Sequence, residues 1–436
     1  MQYRLLILPI ALSMTASMDA NPRLKTIVNT TNLTDSSRVF DIEEVVVVSQ
    51  PKDAFHMRMQ PLSSSSFSKT QMSSIGVRDL RDISSFVPSF AMPSYGSRLT
   101  SSMYVRGIGS RVNDPAVGIY VDGIPLICKS AYNSHLYQID RVDVLRGPQG
   151  TLYGQNTEGG LVRMYSHNPM DGEKTEVRLG WGTHFHRNIE FAHYGKASDE
   201  LAYSIAGFYN GQNGFFRNQN TGCRADAFNE AGGRTRVVFQ PTDKLSLDWV
   251  ADYQYVNQKA FPYGLLDEST GVASMPSTTF DGKYRRNMFN TGLTLKYDAR
   301  FFSINSTTSY QFLSDNMHMD QDYTAANLMS LEQKQLQNAI TEELTLKGIV
   351  LDMWHYTFGL FGAYQWLKTN APVGFGKDMT DKIAQPIHNA MLNAMVNSMA
   401  KPMIDKGMPE DIAKKQALEI IDKAGGVSLD IGMAVP

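Results

Sequence analysis

Only two of the 436 residues are cysteines, Cys128 and Cys223, which excludes a disulfide-dense scaffold and any four-cysteine zinc site. Net charge is also scarce: 41 Lys and Arg against 43 Asp and Glu leave a formal charge of -2, so nothing favours a nucleic-acid partner. No apolar run reaches the roughly 18 residues of a membrane-spanning helix, so any passage through a bilayer must be made by a barrel. Catalytic signatures are missing too. There is no nucleophile elbow and no carboxylate pair in a cleft motif, and the glycine-rich RGPQGTLYG lacks the Lys-Ser/Thr that would reach phosphates and magnesium. Neither an enzyme nor a cofactor is expected.

Aromatics are abundant, with 20 Tyr and 21 Phe, as in β-rich and interface-facing proteins. Arg4 precedes an apolar stretch from Leu5 to Leu12, and residues 1–20 read as a secretory signal peptide. Residues 21–55 read as a flexible N-terminus that contains an isolated β-prone run, Glu44, Val45, Val46, Val47 and Val48, within segment 41–50. Residues 56–170 mix short strands and helices with many Gly and Pro, as a compact α+β domain does. In it Val77, Leu80, Ile83 and Val87 keep helical spacing up to Pro88, and Asp122-Gly123 between apolar residues predicts a type I′ hairpin. Gly147, Pro148 and Gly150 read as turn residues, and Gly154, Gly159 and Gly160 as sites of close backbone packing.

From residue 174 to 370 the pattern has period two. Trp354, Tyr356, Phe358, Leu360, Gly362, Tyr364 and Trp366 alternate with His355, Thr357, Gly359, Ala363 and Gln365, aromatic at both ends and aliphatic in the middle. Twelve steps of ~3.3 Å at ~45° tilt span ~28 Å along the normal, the height of an apolar membrane band. About nine such strands are expected, near 175–182, 187–195, 200–211, 230–240, 244–258, 285–298, 300–314, 335–349 and 352–369. Tight links alternate with long ones near 211–230, 258–284 and 314–335. Residues 371–436 read as a helical outer-loop insertion, with Ile387, Met391, Leu392, Met395, Val396 and Met399 on one helix and a second helix closed by Gly425-Gly426. An ordinary packed face explains those methionines better than a metal-binding box.

The successive blocks YVRGIGSR, GIYVDGIPL and IDRVDVLRGPQGTLYGQNTEGGLVRMYSHNP, followed directly by barrel-like strands, resemble the plug domain of TonB-dependent outer-membrane transporters. The resemblance covers residues 41–370. It implies a mainly β protein: an α+β plug domain followed by an incomplete antiparallel transmembrane β-barrel, nine strands of an expected 22. It also implies a place in the outer membrane of a Gram-negative bacterium, among its lipids. The expected activity is energy-coupled import of an iron–siderophore, haem, cobalamin or similar chelate, and the alternative is a non-transporting binding or signal-sensing receptor. Residues 21–41 are too few for the extra β-domain of SusC-type glycan importers, which turns the expectation away from large glycans. Nine strands would close at a backbone radius of only ~10 Å around a plug ~34 Å across, so the chain is expected to hold a partial wall and to be a fragment of the transporter.

The resemblance further implies that Glu44 to Val48 bind the TonB periplasmic domain by strand addition. It also implies that Arg106 and Arg146 lock the plug to a glutamate on the barrel interior, for which Glu343 is the candidate. Strand parity puts Glu343 inside with Thr341 and Thr345 and leaves Glu342 on the lipid side, where a bulge or a headgroup-level position is expected. His318, Asp320 and Asp322 in MHMDQDY are candidate ligand contacts in an outer loop. His184 and His186 lack a third ligand, and no metal site is expected.

Overall fold

The computed structural model describes residues 3–7, 12–16, 63–98, 102–111, 115–350, 354–423 and 434–435. The plug sheet is built from β1 (Ser63–Ser68), β2 (Val117–Val121), β3 (Ile124–Leu126), β4 (Ile139–Arg146) and β5 (Gly160–Ser166), in the order β1-β4-β5-β2-β3. β5 runs parallel to β2 and antiparallel to β4, so the sheet is mixed. The hairpin between β2 and β3 turns at Asp122 and Gly123, both at positive φ (51° and 83°), as a type I′ turn requires. Helix α1 (Lys69–Ser74) starts in a Ser68/Gln71 capping box and helix α2 (Leu80–Ser84) in an Asp79/Asp82 one. Val77, Leu80, Ile83 and Val87 all enter one core with Val142, Val144 and Val162. The helix itself is short because its first turn is fixed by Asp79 and its end comes well before Pro88.

Between β4 and β5 the chain makes a one-turn helix α3 (Gly150–Tyr153). Close packing is needed at Gly160, where a Cβ would lie 2.5 Å from the Leu145 carbonyl oxygen. Gly154 differs from expectation: nothing crowds it, and its φ of +63° is the reason for glycine there.

Nine long strands follow in chain order, each antiparallel to the next: β6 (Lys174–Gly182), β7 (His186–Lys196), β8 (Leu201–Gln212), β9 (Phe228–Thr242), β10 (Leu245–Lys259), β11 (Lys283–Asp298), β12 (Phe302–Asp320), β13 (Met329–Val350) and β14 (Trp354–Asn370). All nine expected strands are present, and among the described residues β6 does not pair with β14, so the wall is open. Tyr3–Ile7 and Leu12–Ala16 lie antiparallel along the outer edge of β14. No described helix is long and apolar enough to cross a membrane; the strands carry the apolar face instead. Leu179, Trp181, Ile205, Trp249, Tyr253, Leu293 and Leu360 point outward and are exposed, while Ser204, Asp252, Gln254, Gln311 and Thr341 point inward and are buried.

The expected long link 314–335 shrinks to residues 321–328, because β12 and β13 continue beyond the apolar band. There the polarity of the two faces inverts. Met317 and Met319 are buried inside while Asn316 and His318 face outward, so a strand carries loop-like polarity. The expected bulge at Glu342 is absent: pairing with β12 and β14 is unbroken, and its carboxylate accepts hydrogen bonds from the hydroxyls of Ser306 (2.7 Å) and Thr308. After β14, helices α4 (Lys377–Ile404) and α5 (Glu410–Lys423) pack through Val396, Ala400, Ala413, Ala417 and Ile421. Met391 and Met395, expected on the packed face, are exposed; Leu392, Val396 and Met399 pack as expected, and Met403 joins them.

Candidate functional site at the plug–wall interface

Alternation decides which side chains the wall offers to the plug. On β9, β10, β11 and β12 every second residue points inward, and many of these inward residues are polar or charged because they meet a domain rather than lipid, with Val250, Met288 and Leu313 among the apolar ones. Glu230 of β9 accepts from the plug's Arg98 (Nη2 to Oε1, 2.9 Å) and from Asn210 of β8 (2.6 Å). Arg98 also donates to Asn133 (2.7 Å) and Asp79 (3.3 Å). Burial opposes the charge on Arg98, yet Glu230 and Asp79 overcome it and hold the guanidinium above its ordinary pKa. The plug's His135 sits between Glu190 (3.2 Å) and Glu230 (3.8 Å) and stacks on Phe208.

A second set of contacts fastens the rest of the sheet. The Tyr137 hydroxyl donates to Asp252 (2.5 Å), which also accepts from Arg234 (3.3 Å). Arg236 donates to the Ser166 carbonyl (3.2 Å) and hydroxyl (3.0 Å), lies 3.8 Å from Asp122 and is held in turn by Asp248 (2.6 Å). Arg286 of β11 is fully buried and donates to the carbonyls of Ser130 and Asn133. Gln311 of β12 accepts from Ile127 N–H (2.9 Å) and donates to the Pro125 carbonyl, so one side chain bonds the plug backbone on both sides of Leu126. Within the plug, burial works against ionisation of Asp140. The His167 hydrogen bond, with Lys69 and Lys174, nevertheless holds its carboxyl below the ordinary range. Burial pushes the Cys128 thiol up to about 12, which makes it an unreactive core side chain.

Glu44 to Val48, and the whole segment 41–50, lie outside the described residues. Arg106 and Arg146 are brought together: Arg106 Nη1 lies over Gly147, next to Arg146. Neither forms an ion pair with Glu343 among the described residues. Arg146 donates to the Pro88 carbonyl (3.2 Å), inside the plug, because β4 ends beside the loop that follows α2. Glu343 does face inward with Thr341 and Thr345 and accepts from the Thr345 hydroxyl (3.5 Å). Among the described residues the ion pairs between plug and wall include Arg98–Glu230, Arg236–Asp122 and Lys69–Glu176. Their sequence signal was visible as charged residues at inward parity, Glu230, Arg234, Arg236 and Asp252, but parity alone does not name the partner.

The proposed ligand contacts also change setting. His318 and Asp320 end β12 rather than standing in a loop. His318 stacks on Phe280 (4.3 Å), and Asp320 accepts from Thr279 N–H (3.0 Å) and hydroxyl (2.8 Å). Asp322 closes the following turn on the N–H groups of Thr324 (2.9 Å) and Leu328 (3.3 Å). His184 packs at a tilt against the Phe215 ring (4.2 Å) while His186 bonds Asn210 (2.9 Å) and Arg78 (3.2 Å), so the two rings serve different neighbours.

Fold and site together define a plug domain fastened to the inner face of an outward-apolar antiparallel wall. Residues 56–161 match the family profile described as TonB-dependent Receptor Plug Domain. The chain is 27% identical over 165 residues to the pesticin receptor of Yersinia pestis, covering 37% of this chain and 24% of that one. It is 24% identical over 272 residues to the ferrichrome outer membrane transporter/phage receptor of Escherichia coli K12, covering 60% and 33%. Its fold resembles that of the ferric yersiniabactin uptake receptor of Yersinia pestis, with a TM-score of 0.66, 22% identity and coverage of 72% and 50%. Residues 56–161 thus carry a TonB-dependent receptor plug domain, and the antiparallel wall that follows has the fold of the corresponding part of a solved outer-membrane receptor. The chain spans half or less of the length of these relatives.

Proposed function

We propose that this chain provides the plug and the first nine wall strands of an energy-coupled importer for a scarce chelated nutrient, with a ferric siderophore first and haem or cobalamin behind it. The observation that carries this reading is how the plug is held. Its contacts with the wall combine apolar patches, at Met288 and Leu313 and around Tyr137, with many hydrogen bonds and ion pairs, and the polar contacts are re-formed by water when the plug shifts. Two of the relatives bear the names of iron chelates, ferrichrome and ferric yersiniabactin. In this reading residues 1–20 are a leader, 21–55 carry the coupling segment, 56–170 form the plug, 174–370 the strands among outer-membrane lipids, and 371–436 an outer loop.

Coupling then falls to Glu44 to Val48, which add as a strand to the periplasmic domain of TonB. Backbone pairing tolerates most side chains but not proline, which lacks the N–H. Val46→Pro is expected to abolish uptake of isotope-labelled ferric chelate by cells that make the protein, while chelate binding at the surface is unchanged. Undiminished uptake by that variant refutes the assignment.

A further inference from the structure

His135 of the plug is buried and held from both sides. Its backbone bridges Asp79, the N–H of Leu136 donates to the Arg78 carbonyl (2.8 Å), and its ring stacks on Phe208 of β8 (4.6 Å). Each ring nitrogen meets a carboxylate from a different wall strand. Nε2 lies 3.2 Å from Glu190 of β7, and because a carboxylate only accepts, the proton of a neutral ring must sit on Nε2. Nδ1 is then a bare lone pair. It is buried, has no hydrogen-bond partner among the described residues and faces the Glu230 carboxylate of β9 at 3.8 Å. Two acceptors aimed at each other away from water repel. A proton on Nδ1 turns that repulsion into an ion pair and gives both nitrogens a carboxylate to face.

The charges around the ring favour that proton. Asp79, Glu190 and Glu230 crowd it, and the buried Arg98 is shared by Asp79 and Glu230, while Arg81 and Arg178 reach Asp79 and Glu190 from the solvent side. Arg78 is turned to His186 at the start of β7, Asp82 to the cap of α2, and Arg286 of β11 acts on Glu230 from farther off. Protons also have a route. A cavity of about 240 Å³ between α1 and strands β6 and β7, with Lys69, Gln138, Glu176, Arg178 and Glu190 in its wall, holds several waters and brings them to the Glu190 carboxylate.

We propose that His135 is a proton-operated latch: seating the plug between Glu190 and Glu230 takes up one proton at Nδ1, so that acid tightens the joint and rising pH loosens it. The proton comes from solvent and no other bond is made or broken. Because the seated state binds more protons than the released one, seating strengthens as pH falls through the range of about 8 to 5 in which imidazoles titrate. This concerns the joint itself, whatever the receptor carries.

The test compares the two thiols of the 436-residue chain in detergent micelles, using a pyridyl disulfide as the reagent. Exposed Cys223 reports how the reagent responds to pH, and buried Cys128 reacts when the plug releases it, so the ratio of the Cys128 rate to the Cys223 rate follows release alone. That ratio is expected to fall about tenfold between roughly pH 8 and pH 5.5, the scale of one charge-assisted contact. His135→Gln keeps a donor for Glu190 but binds no proton and should flatten the profile. Glu230→Gln offers a bare Nδ1 an N–H and should flatten it by the opposite change, so either variant decides if the other does not fold. His186→Gln removes the neighbouring imidazole and should leave the slope. A wild-type ratio that is flat or rises toward acid overturns the latch without any variant, as does a slope that survives His135→Gln or Glu230→Gln or is lost in His186→Gln.

Discussion

The plug and the wall bury opposite things. In the plug, Ile83, Val144, Leu161 and Val162 are fully buried, and the domain is held by an ordinary apolar core. In the wall, Leu179 is 74% and Trp181 71% exposed, while Ser204 and Gln311 are buried at 0% and 1%. Where the two regions meet, hydrogen bonds and ion pairs surround smaller apolar patches at Met288 and Leu313 and around Tyr137. The difference teaches that the plug folds on apolar burial whereas its joint to the wall leans much more on polar contact. Lipid and the plug's own core take up apolar area, and hydrogen-bonded charge joins the halves.

The strongest way to break the joint is at Arg98. Arg98→Ala leaves Glu230 and Asp79 buried without the cation they share, a loss of about 3–5 kcal/mol. The two cysteines report it: Cys128 is buried in the plug and Cys223 is exposed on a wall loop. Cys128 should react with a thiol reagent much faster in Arg98→Ala, with Cys223 unchanged. An unaltered Cys128 rate means that Arg98 does not hold the plug.

A comparable but more local effect is expected inside the plug. Ile83→Ala removes a fully buried side chain and should cost about 2–5 kcal/mol, read as a lower denaturant midpoint for Cys128 exposure. Leu293→Ala on the outward wall face exchanges contact with detergent or lipid for a smaller contact and should shift that midpoint little. Equal shifts from both would erase the contrast between the regions.

The nine strands, the Asp122-Gly123 hairpin and the buried positions Val77, Leu80, Ile83 and Val87 were legible because they are local: period two, turn chemistry and helical spacing each act within a few residues. Signature blocks placed the plug. What was not legible depends on the other side of a contact. Residues Asn316 to Asp320 read as loop because polarity inverts where the strand leaves the apolar band, and nothing local marks that height. Inward charges were visible at Glu230 and Asp252, but that Glu230 meets Arg98 and Asp252 meets Tyr137 follows only from docking.

A smaller effect concerns acid. The Asp140 carboxyl titrates below its ordinary value of 3.8, so its contribution to stability is complete at pH above that value and is lost as pH falls through the lower, folded value. Plug stability should therefore fall on its acid limb, and Asp140→Asn should flatten that limb by the same modest amount that it removes at neutral pH, modest because the group is partly exposed. An acid limb of unchanged steepness in the variant assigns the dependence to other carboxylates.

The smallest expected number is a coupling. Glu342 and Glu343 are neighbours on β13 that face opposite ways, and only Glu343 is on the side of the plug. The resemblance pairs Glu343 with Arg106 and Arg146, whereas Arg146 here donates to Pro88. A double-mutant cycle of Arg146→Ala and Glu343→Ala, followed by thermal unfolding in micelles, separates the two arrangements. Groups that do not touch add to within about 0.3–0.5 kcal/mol, and that is the outcome expected, while the Arg98–Glu230 cycle should give a coupling well beyond it. A coupling above about 1 kcal/mol between Arg146 and Glu343 would instead mean that the plug visits a second docked position, in which the arginine leaves Pro88 for the wall.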